Sequence, residues 1–188
     1  MNLESKIVNG LERISEAIKA SLWEKAKLYG ISPTQIQILI FINTHKTEIC
    51  NVSYMAKEFN ITKATISDAV RVLLNKKFLE KDLSPMDKRR YNLILTTLGN
   101  DLVGKLSEYV TPFREALSVF ELENLNTVFD TLTKLIYQLN QLDIIQVQRT
   151  CFNCKHYTGN RTDSHYCNLL SSKLKNQEIR LDCNEFEE

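Results

Sequence analysis

Four of the five cysteines lie in the last 38 residues, and their spacing is typical of a metal site. Cys151 and Cys154 form a C-x2-C pair, Cys167 follows after twelve residues, and Cys183 follows after fifteen more. A C-x2-C turn can present two thiolates to one metal, and two later thiolates complete a tetrahedron. We therefore predict a four-cysteine metal-binding module over residues 150–188.

The identity of the metal is less constrained than the ligand set. The cysteine-rich segment has too few apolar residues for an independent core, so we expect the metal to stabilise its fold. Zinc held by four thiolates is the usual solution in such small modules, and structural zinc is the predicted occupant. An iron–sulfur cluster is the alternative, because it also uses four cysteines; the module would then be a redox-responsive switch. His156 and His165 are alternative ligands, although we expect both to be polar surface residues.

Sequence motifs of enzymes are absent from the chain. It has no G-x-x-x-x-G-K, H-E-x-x-H or G-x-S-x-G motif, and two of its three histidines fall in the cysteine-rich segment. Four cysteine ligands would also leave no open metal position for a substrate. Cys50 stands apart with only Lys46 as a nearby basic residue, and we interpret it as a small, partly buried residue rather than a redox sensor. We predict that the protein is not an enzyme.

Polar and basic side chains mark a candidate DNA-reading helix that begins after Thr62. A recognition helix needs short polar or basic side chains near its N-terminus, where they can reach base edges and phosphates. Asp68 on the same face would repel phosphates, so it either accepts from cytosine or faces away. The predicted DNA contacts of this helix are Lys63, Thr65, Ser67 and Arg71.

A second basic cluster follows directly. Residues 76–90 carry six basic and three acidic side chains, whereas the whole chain has a net charge of only +1. Residues 78–83 and 91–95 alternate loosely with period two, which predicts a β-hairpin with a charged tip over residues 84–90. Phosphate contacts need such a local basic patch, and an arginine at a hairpin tip can enter the minor groove.

The apolar pattern predicts the helices that position these residues. Apolar residues at spacings of three and four predict a helix over residues 3–28, and Ser32-Pro33-Thr34-Gln35 is a helix start with a capping box. Residues 52–59 and a helix from Thr62 to about Lys77 form a predicted helix-turn-helix. A long amphipathic helix is predicted over residues 122–147, with the heptad seam Leu125, Val128, Leu132, Leu135, Leu139 and Leu142.

The run Asp87-Lys88-Arg89-Arg90-Tyr91-Asn92-Leu93-Ile94-Leu95-Thr96, followed by Gly99, resembles the wing of MarR-type regulators. The resemblance implies that Arg89 enters the minor groove, that Asp87 braces the wing, and that the helix from Thr62 reads the major groove. Lys88 and Arg90 are the neighbouring predicted DNA contacts. The family further implies a homodimer with intertwined terminal helices on a palindromic operator in double-stranded DNA, and a possible small-molecule effector.

These patterns predict a mainly α fold with a small β-hairpin wing. Residues 1–149 would form a winged helix-turn-helix (motif at about 50–99) with long N- and C-terminal dimerisation helices, and residues 150–188 the metal-stapled module. The chain lacks an apolar run of roughly 20 residues and a signal-peptide pattern, so we expect a cytoplasmic protein without membrane association. An adaptor that uses the winged domain to bind proteins is the competing class, and it predicts that charge reversal at Arg89 and Arg90 leaves function unchanged.

Overall fold

The computed structural model describes residues 2–83 and 91–188, which fall into two compact units. The first comprises the described residues within 1–56 and 61–116, and the second comprises residues 57–60 and 117–188. The last long helix is therefore grouped with the cysteine-rich residues. The predicted division at residue 149, between the winged helix-turn-helix domain and the metal-binding module, stays a prediction.

The first unit is mainly helical, with one antiparallel hairpin. The mainly α character with a small sheet agrees with the predicted fold class. In chain order, the helices and strands from residue 3 to residue 117 are α1 Leu3–Tyr29, α2 Pro33–Thr44, α3 Val52–Glu58, α4 Lys63–Asn75, β1 Leu79–Leu83, β2 Tyr91–Leu95, α5 Thr97–Leu106 and α6 Thr111–Leu117. None of the described helices of the protein combines the length and apolar character that crossing a bilayer requires.

The end of α1 and the start of α2 follow from local sequence, and the predicted capping box of α2 is confirmed. Gly30 ends α1 in the left-handed region with φ 62°, which glycine adopts without steric cost. Ser32 accepts a hydrogen bond from the Gln35 amide, and the Gln35 side chain accepts one from the Ser32 amide. The helix that follows, α2, is buried on most of its surface and contacts α1, α4 and α5.

Two hydrogen bonds anchor the hairpin to the rest of the first unit, one at its base and one in the middle of β2. Residues of β1 pair with β2 from Leu79 opposite Leu95 to Leu83 opposite Tyr91. The Leu93 amide donates to the Cys50 carbonyl at 2.8 Å, and the Thr96 hydroxyl donates to the Lys77 carbonyl at 2.7 Å. These bonds fix the hairpin beside the end of α4, where a wing is expected.

The second unit contains α7 Leu122–Gln141 and a small three-stranded sheet. The helix ends six residues before the predicted residue 147, so that part of the prediction is wrong. Asp143 has φ 57° and the Ile144 amide bonds back to the Leu139 carbonyl, which closes the helix. Aspartate tolerates the left-handed conformation that ends the helix. The longer helix was predicted because the apolar residues after Asp143 continue the helical spacing. Strands β3 Tyr157–Gly159, β4 His165–Cys167 and β5 Ser172–Leu174 form an antiparallel meander.

Candidate DNA-reading surface and cysteine-lined cavity

The polar face of α4 is separated cleanly from its apolar face. Ile66, Val70 and Leu73 are almost fully buried, because they recur at helical spacing and pack in the core of the first unit. Thr62 caps the helix by accepting a hydrogen bond from the Thr65 amide at 3.1 Å. The buried stripe and the cap together fix which side chains α4 presents to solvent.

All four predicted contacts on α4 are exposed. Lys63, Ser67 and Arg71 follow at four-residue intervals and therefore line one stripe of the helix. Thr65 lies beside that stripe, with its hydroxyl 2.9 Å from the Thr62 hydroxyl. The arrangement offers one ammonium, one guanidinium and two hydroxyl groups over two turns of helix.

Asp68 is exposed and pairs with Arg71. Its carboxylate accepts from the Arg71 guanidinium at 2.7 Å, and both side chains are about two-thirds exposed or more. An exposed pair of this kind adds little stability, about 0 to 1 kcal/mol. Its main consequence is geometric, because it orients one edge of the guanidinium toward Asp68 and leaves the other nitrogens available to a ligand.

The predicted tip residues of the wing, Asp87, Lys88, Arg89 and Arg90, lie outside the described residues. The strands that lead to them are described, and Lys81 of β1 lies over the Tyr91 ring of β2 at 4.2 Å from its centroid. Lys76, Lys77 and Lys81 are exposed. The base of the wing thus carries part of the predicted positive charge.

Cys50 is buried in the first unit, as interpreted from the sequence. Its side chain is 1% exposed and its thiol donates to the Lys46 carbonyl at 3.3 Å. Burial, with a smaller contribution from Glu48, raises the pKa of this thiol to about 11. The thiolate that reacts with oxidants is therefore scarce near neutral pH, which argues against a sensor.

The four C-terminal cysteines line one cavity of the second unit, of about 530 Å3. None of them forms a disulfide, and all four are partly buried. Cys151 and Cys154 flank a short 3-10 turn, Cys167 ends β4, and Cys183 lies in the segment after residue 178. Among residues 2–83 and 91–188, no three metal-binding side chains are grouped tightly enough to hold a single ion as they stand.

Backbone hydrogen bonds bring the first and last cysteine segments together. The Cys151 amide donates to the Arg180 carbonyl and the Cys183 amide donates to the Arg149 carbonyl, both at 3.0 Å. The Arg180 amide donates to the Cys151 sulfur at 3.3 Å, and the Arg180 guanidinium lies 3.6 Å from the Cys183 sulfur. Arg180 was not singled out from the sequence, since nothing in the cysteine spacing marks a sulfur donor.

Burial disfavours negative charge on the free Cys151 thiol. Burial raises the pKa of the Cys151 thiol, and the three other cysteines raise it further, whereas the hydrogen bond from Arg180 lowers it. A bound metal reverses this balance because its positive charge holds coordinating thiols deprotonated.

The two histidines of the module differ in position. His165 is 4% exposed, and its Nδ1 lies in a hydrogen bond of 2.7 Å with the Tyr157 hydroxyl. The expectation of a surface position is wrong for His165, because its ring packs near Phe152 in the small core. His156 lines the cavity and has Nε2 3.3 Å from a Glu187 carboxylate oxygen.

A buried arginine links the start of the module to two acidic residues of the same unit. The Arg149 side chain is 7% exposed; it donates to Glu58 at 2.7 and 3.2 Å, and to Asp182 at 2.7 and 3.1 Å. Two bidentate pairs on one guanidinium satisfy its planar donor geometry. Nothing local in the sequence marks this network, because Arg149 is 91 residues from Glu58 and 33 residues from Asp182 in the chain.

Comparisons with known proteins agree with the geometry of the first unit. Residues 29–90 match the model of the MarR family. Among solved structures, the complex of S. aureus MepR with DNA is 26% identical, with a TM-score of 0.61 over 70% of this chain and 97% of that chain. S. aureus MepR in its DNA-binding conformation is 25% identical, with a TM-score of 0.61 over 71% and 98% of the two chains. No curated protein matches the sequence. Residues 29–90 are therefore similar to the MarR family domain, and the fold is similar to that of MepR.

Proposed function

We propose that the protein is a non-enzymatic transcriptional regulator that binds a palindromic operator in double-stranded DNA as a homodimer. The observation that carries the proposal is the exposed stripe of Lys63, Ser67 and Arg71 on α4, opposite a buried apolar stripe. The MarR family match over residues 29–90 and the similarity to a MepR–DNA complex support the same assignment.

The chemistry of the stripe suits a major groove. Lys63 and Arg71 supply positive charge for phosphates or guanine acceptors, and the hydroxyls of Thr65 and Ser67 can donate to or accept from base edges. Asp68 adds an acceptor that could pair with the amino group of cytosine while it holds Arg71 in place. The helix thus combines non-specific attraction with groups that distinguish bases.

The wing adds the second part of the proposed interface. The β1–β2 hairpin is anchored to α4 and to the segment before α3 by the bonds described above. We propose that it presents Lys88, Arg89 and Arg90 to the neighbouring minor groove, with Asp87 as the brace. The exposed lysines at its base would contact phosphates.

A second copy of the chain is the proposed partner of α1. Leu3, Ile7 and Ile14 are 69%, 49% and 54% exposed and lie on one face of the helix. A stripe of large apolar side chains along about 17 Å of helix is costly to leave in water. A dimer would cover it and would place two α4 helices on the two half-sites of an operator.

We also propose that the four cysteines of the second unit form a thiolate metal site. The sequence alone favours structural zinc as its occupant. A small-molecule effector and a cytoplasmic location remain predictions from the resemblance and from the sequence pattern.

Substitutions on α4 test the proposal. DNA bound by the protein is enriched from a random pool, and its affinity for the parent protein and for the Lys63→Ala and Arg71→Ala variants is measured by fluorescence anisotropy. We expect each variant to lose affinity by about tenfold. Loss of a phosphate contact should also reduce the steepness of the salt dependence by about one unit in the logarithmic slope.

Lys134→Ala is the matched control, because Lys134 is an exposed, ion-paired lysine of α7. We expect it to bind the selected DNA like the parent protein. Equal affinities for all four proteins, or failure of the parent protein to enrich any sequence, would leave the adaptor function as the better account.

A further inference from the structure

The cysteine-lined cavity is larger than a single metal ion requires. Three parts of the second unit bring the four thiols to its wall: the 3-10 turn that carries Cys151 and Cys154, the end of β4 and the segment after residue 178. We propose that this cavity binds an iron–sulfur cluster through Cys151, Cys154, Cys167 and Cys183, rather than the single zinc ion that the sequence favours. The inference deepens the proposed thiolate site and is independent of DNA binding by α4.

The arrangement of the thiols favours an iron–sulfur cluster over a single zinc ion. Around one zinc ion, four thiolates lie at about 2.3 Å from the metal and so contact one another closely. In this cavity of about 530 Å3 no three metal-binding side chains among the described residues are grouped at such a spacing. A cluster is bound differently, because its cysteines are distributed over two or four iron atoms at the periphery of a larger inorganic core: in a 4Fe–4S cluster each cysteine ligates a different iron. Thiols that line a common cavity without converging on one point match that geometry.

The donors around the sulfurs suit the same ligand. The Arg180 amide donates to the Cys151 sulfur, and the Arg180 guanidinium lies within hydrogen-bond range of the Cys183 sulfur. Hydrogen bonds and positive charge next to cysteine sulfurs stabilise electron-rich, thiolate-bound clusters and set their reduction potentials. Leu169, Leu170 and Leu174 also line the cavity and would limit access of water to the core.

Metal and sulfide analysis of the full chain tests the proposal. The protein is purified without oxygen, and its iron, zinc and acid-labile sulfide are measured together with its visible spectrum. We expect iron and sulfide in similar amounts and an absorbance band near 400 nm, about where thiolate-bound clusters absorb. About one zinc per chain without visible absorbance would overturn the proposal. So would a chain that holds no iron even after anaerobic incubation with ferrous iron and sulfide.

Three substitutions separate the effect of losing a ligand from the effect of unfolding the module. Cys183→Ser should lose most of the iron, whereas Cys50→Ser, in the first unit, should retain the iron content of the parent protein. Since Cys183→Ser could also unfold the module, Arg180→Met provides a second readout. It keeps all four thiols and the backbone donor, so we expect unchanged iron but a reduction potential shifted to a more negative value. An unchanged potential in Arg180→Met, with an unchanged spectrum, would contradict the assigned role of the guanidinium next to the cluster.

These outcomes do not overlap with the tests of DNA binding. If the protein contains zinc and still selects an operator, the cluster proposal is wrong and the proposed DNA-binding function holds. If it contains a cluster and selects no DNA, the cluster proposal holds and the proposed DNA-binding function is wrong.

Discussion

Two glycines of α5 lie in opposite surroundings, although both are interior to the same helix. A Cβ atom at Gly99 would lie 2.1 Å from the Phe78 carbonyl oxygen, whereas a Cβ at Gly104 would meet nothing within 4 Å. Gly99 therefore permits the close approach of α5 to the junction of α4 and the wing. Gly104 has no such role in the described structure.

We predict opposite effects of alanine at these two positions. Gly99→Ala should lower the free energy of unfolding by about 2 kcal/mol or more, because backbone atoms must shift to relieve the overlap. Gly104→Ala should raise it by about 0.5 to 1 kcal/mol through helix propensity. Urea unfolding followed by circular dichroism measures both, and equal changes in the two variants would contradict the packing described here.

The residues that could be predicted from the sequence are those with local or periodic signals. The Ser32 capping box and the start of α4 after Thr62 depend on short-range pattern, and both are confirmed. The Gly30 terminus and the buried stripe of α4 follow from pattern of the same kind. The Arg149 network and the Arg180–sulfur bonds depend on contacts between distant segments, and no local pattern encodes them. The convergence of four cysteines on one cavity was foreseeable from spacing, but the size of that cavity was not.

At the scale of elements, the helix-turn-helix and the hairpin match their predicted bounds within about two residues. The end of α7 does not, because apolar residues after Gln141 continue the helical pattern while Asp143 turns the backbone. The three short strands of the second unit were not predicted, since runs of three residues are too short for period-two alternation to be detected. Their register comes from neighbouring strands rather than from their own sequence.

The Arg149 network makes a prediction about the second unit. Arg149→Met retains the apolar stem but leaves Glu58, 20% exposed, without its bidentate partner. We expect a loss of about 2 to 3 kcal/mol in the free energy of unfolding, because a poorly solvated charge loses its counter-ion. Thermal and urea unfolding of the full chain provide the measurement.

Lys134→Met serves as the comparison for this prediction. Lys134 and Asp130 form an ion pair on α7 whose side chains are 46% and 33% exposed. Exposed pairs contribute little, so the change should stay within about 1 kcal/mol. If both substitutions cost the same, burial of Arg149 is not the source of its stabilising effect.

At the scale of the whole molecule, the exposed face of α1 predicts assembly. Ile7→Glu places a charge in the centre of the apolar stripe, whereas Ser5→Glu places one about 160° away on the same helix. We expect light scattering to give about 44 kDa, twice 21.8 kDa, for the parent protein and for Ser5→Glu. Ile7→Glu should shift toward the monomer mass and lose affinity for DNA. A monomeric parent protein at micromolar concentration would contradict the proposed dimer.

In the proposed complex, α4 reads bases in both halves of a symmetric operator. The most direct test of this arrangement is a comparison of the sequences selected from a random DNA pool by the parent protein and by the Thr65→Ala and Ser67→Ala variants. We predict an inverted repeat with half-site centres about 10 base pairs apart for the parent protein. A variant that removes a base contact should relax the preference at the same position of each half-site and leave the other positions unchanged. A parent consensus without symmetry, or identical consensus sequences for all three proteins, would contradict the account.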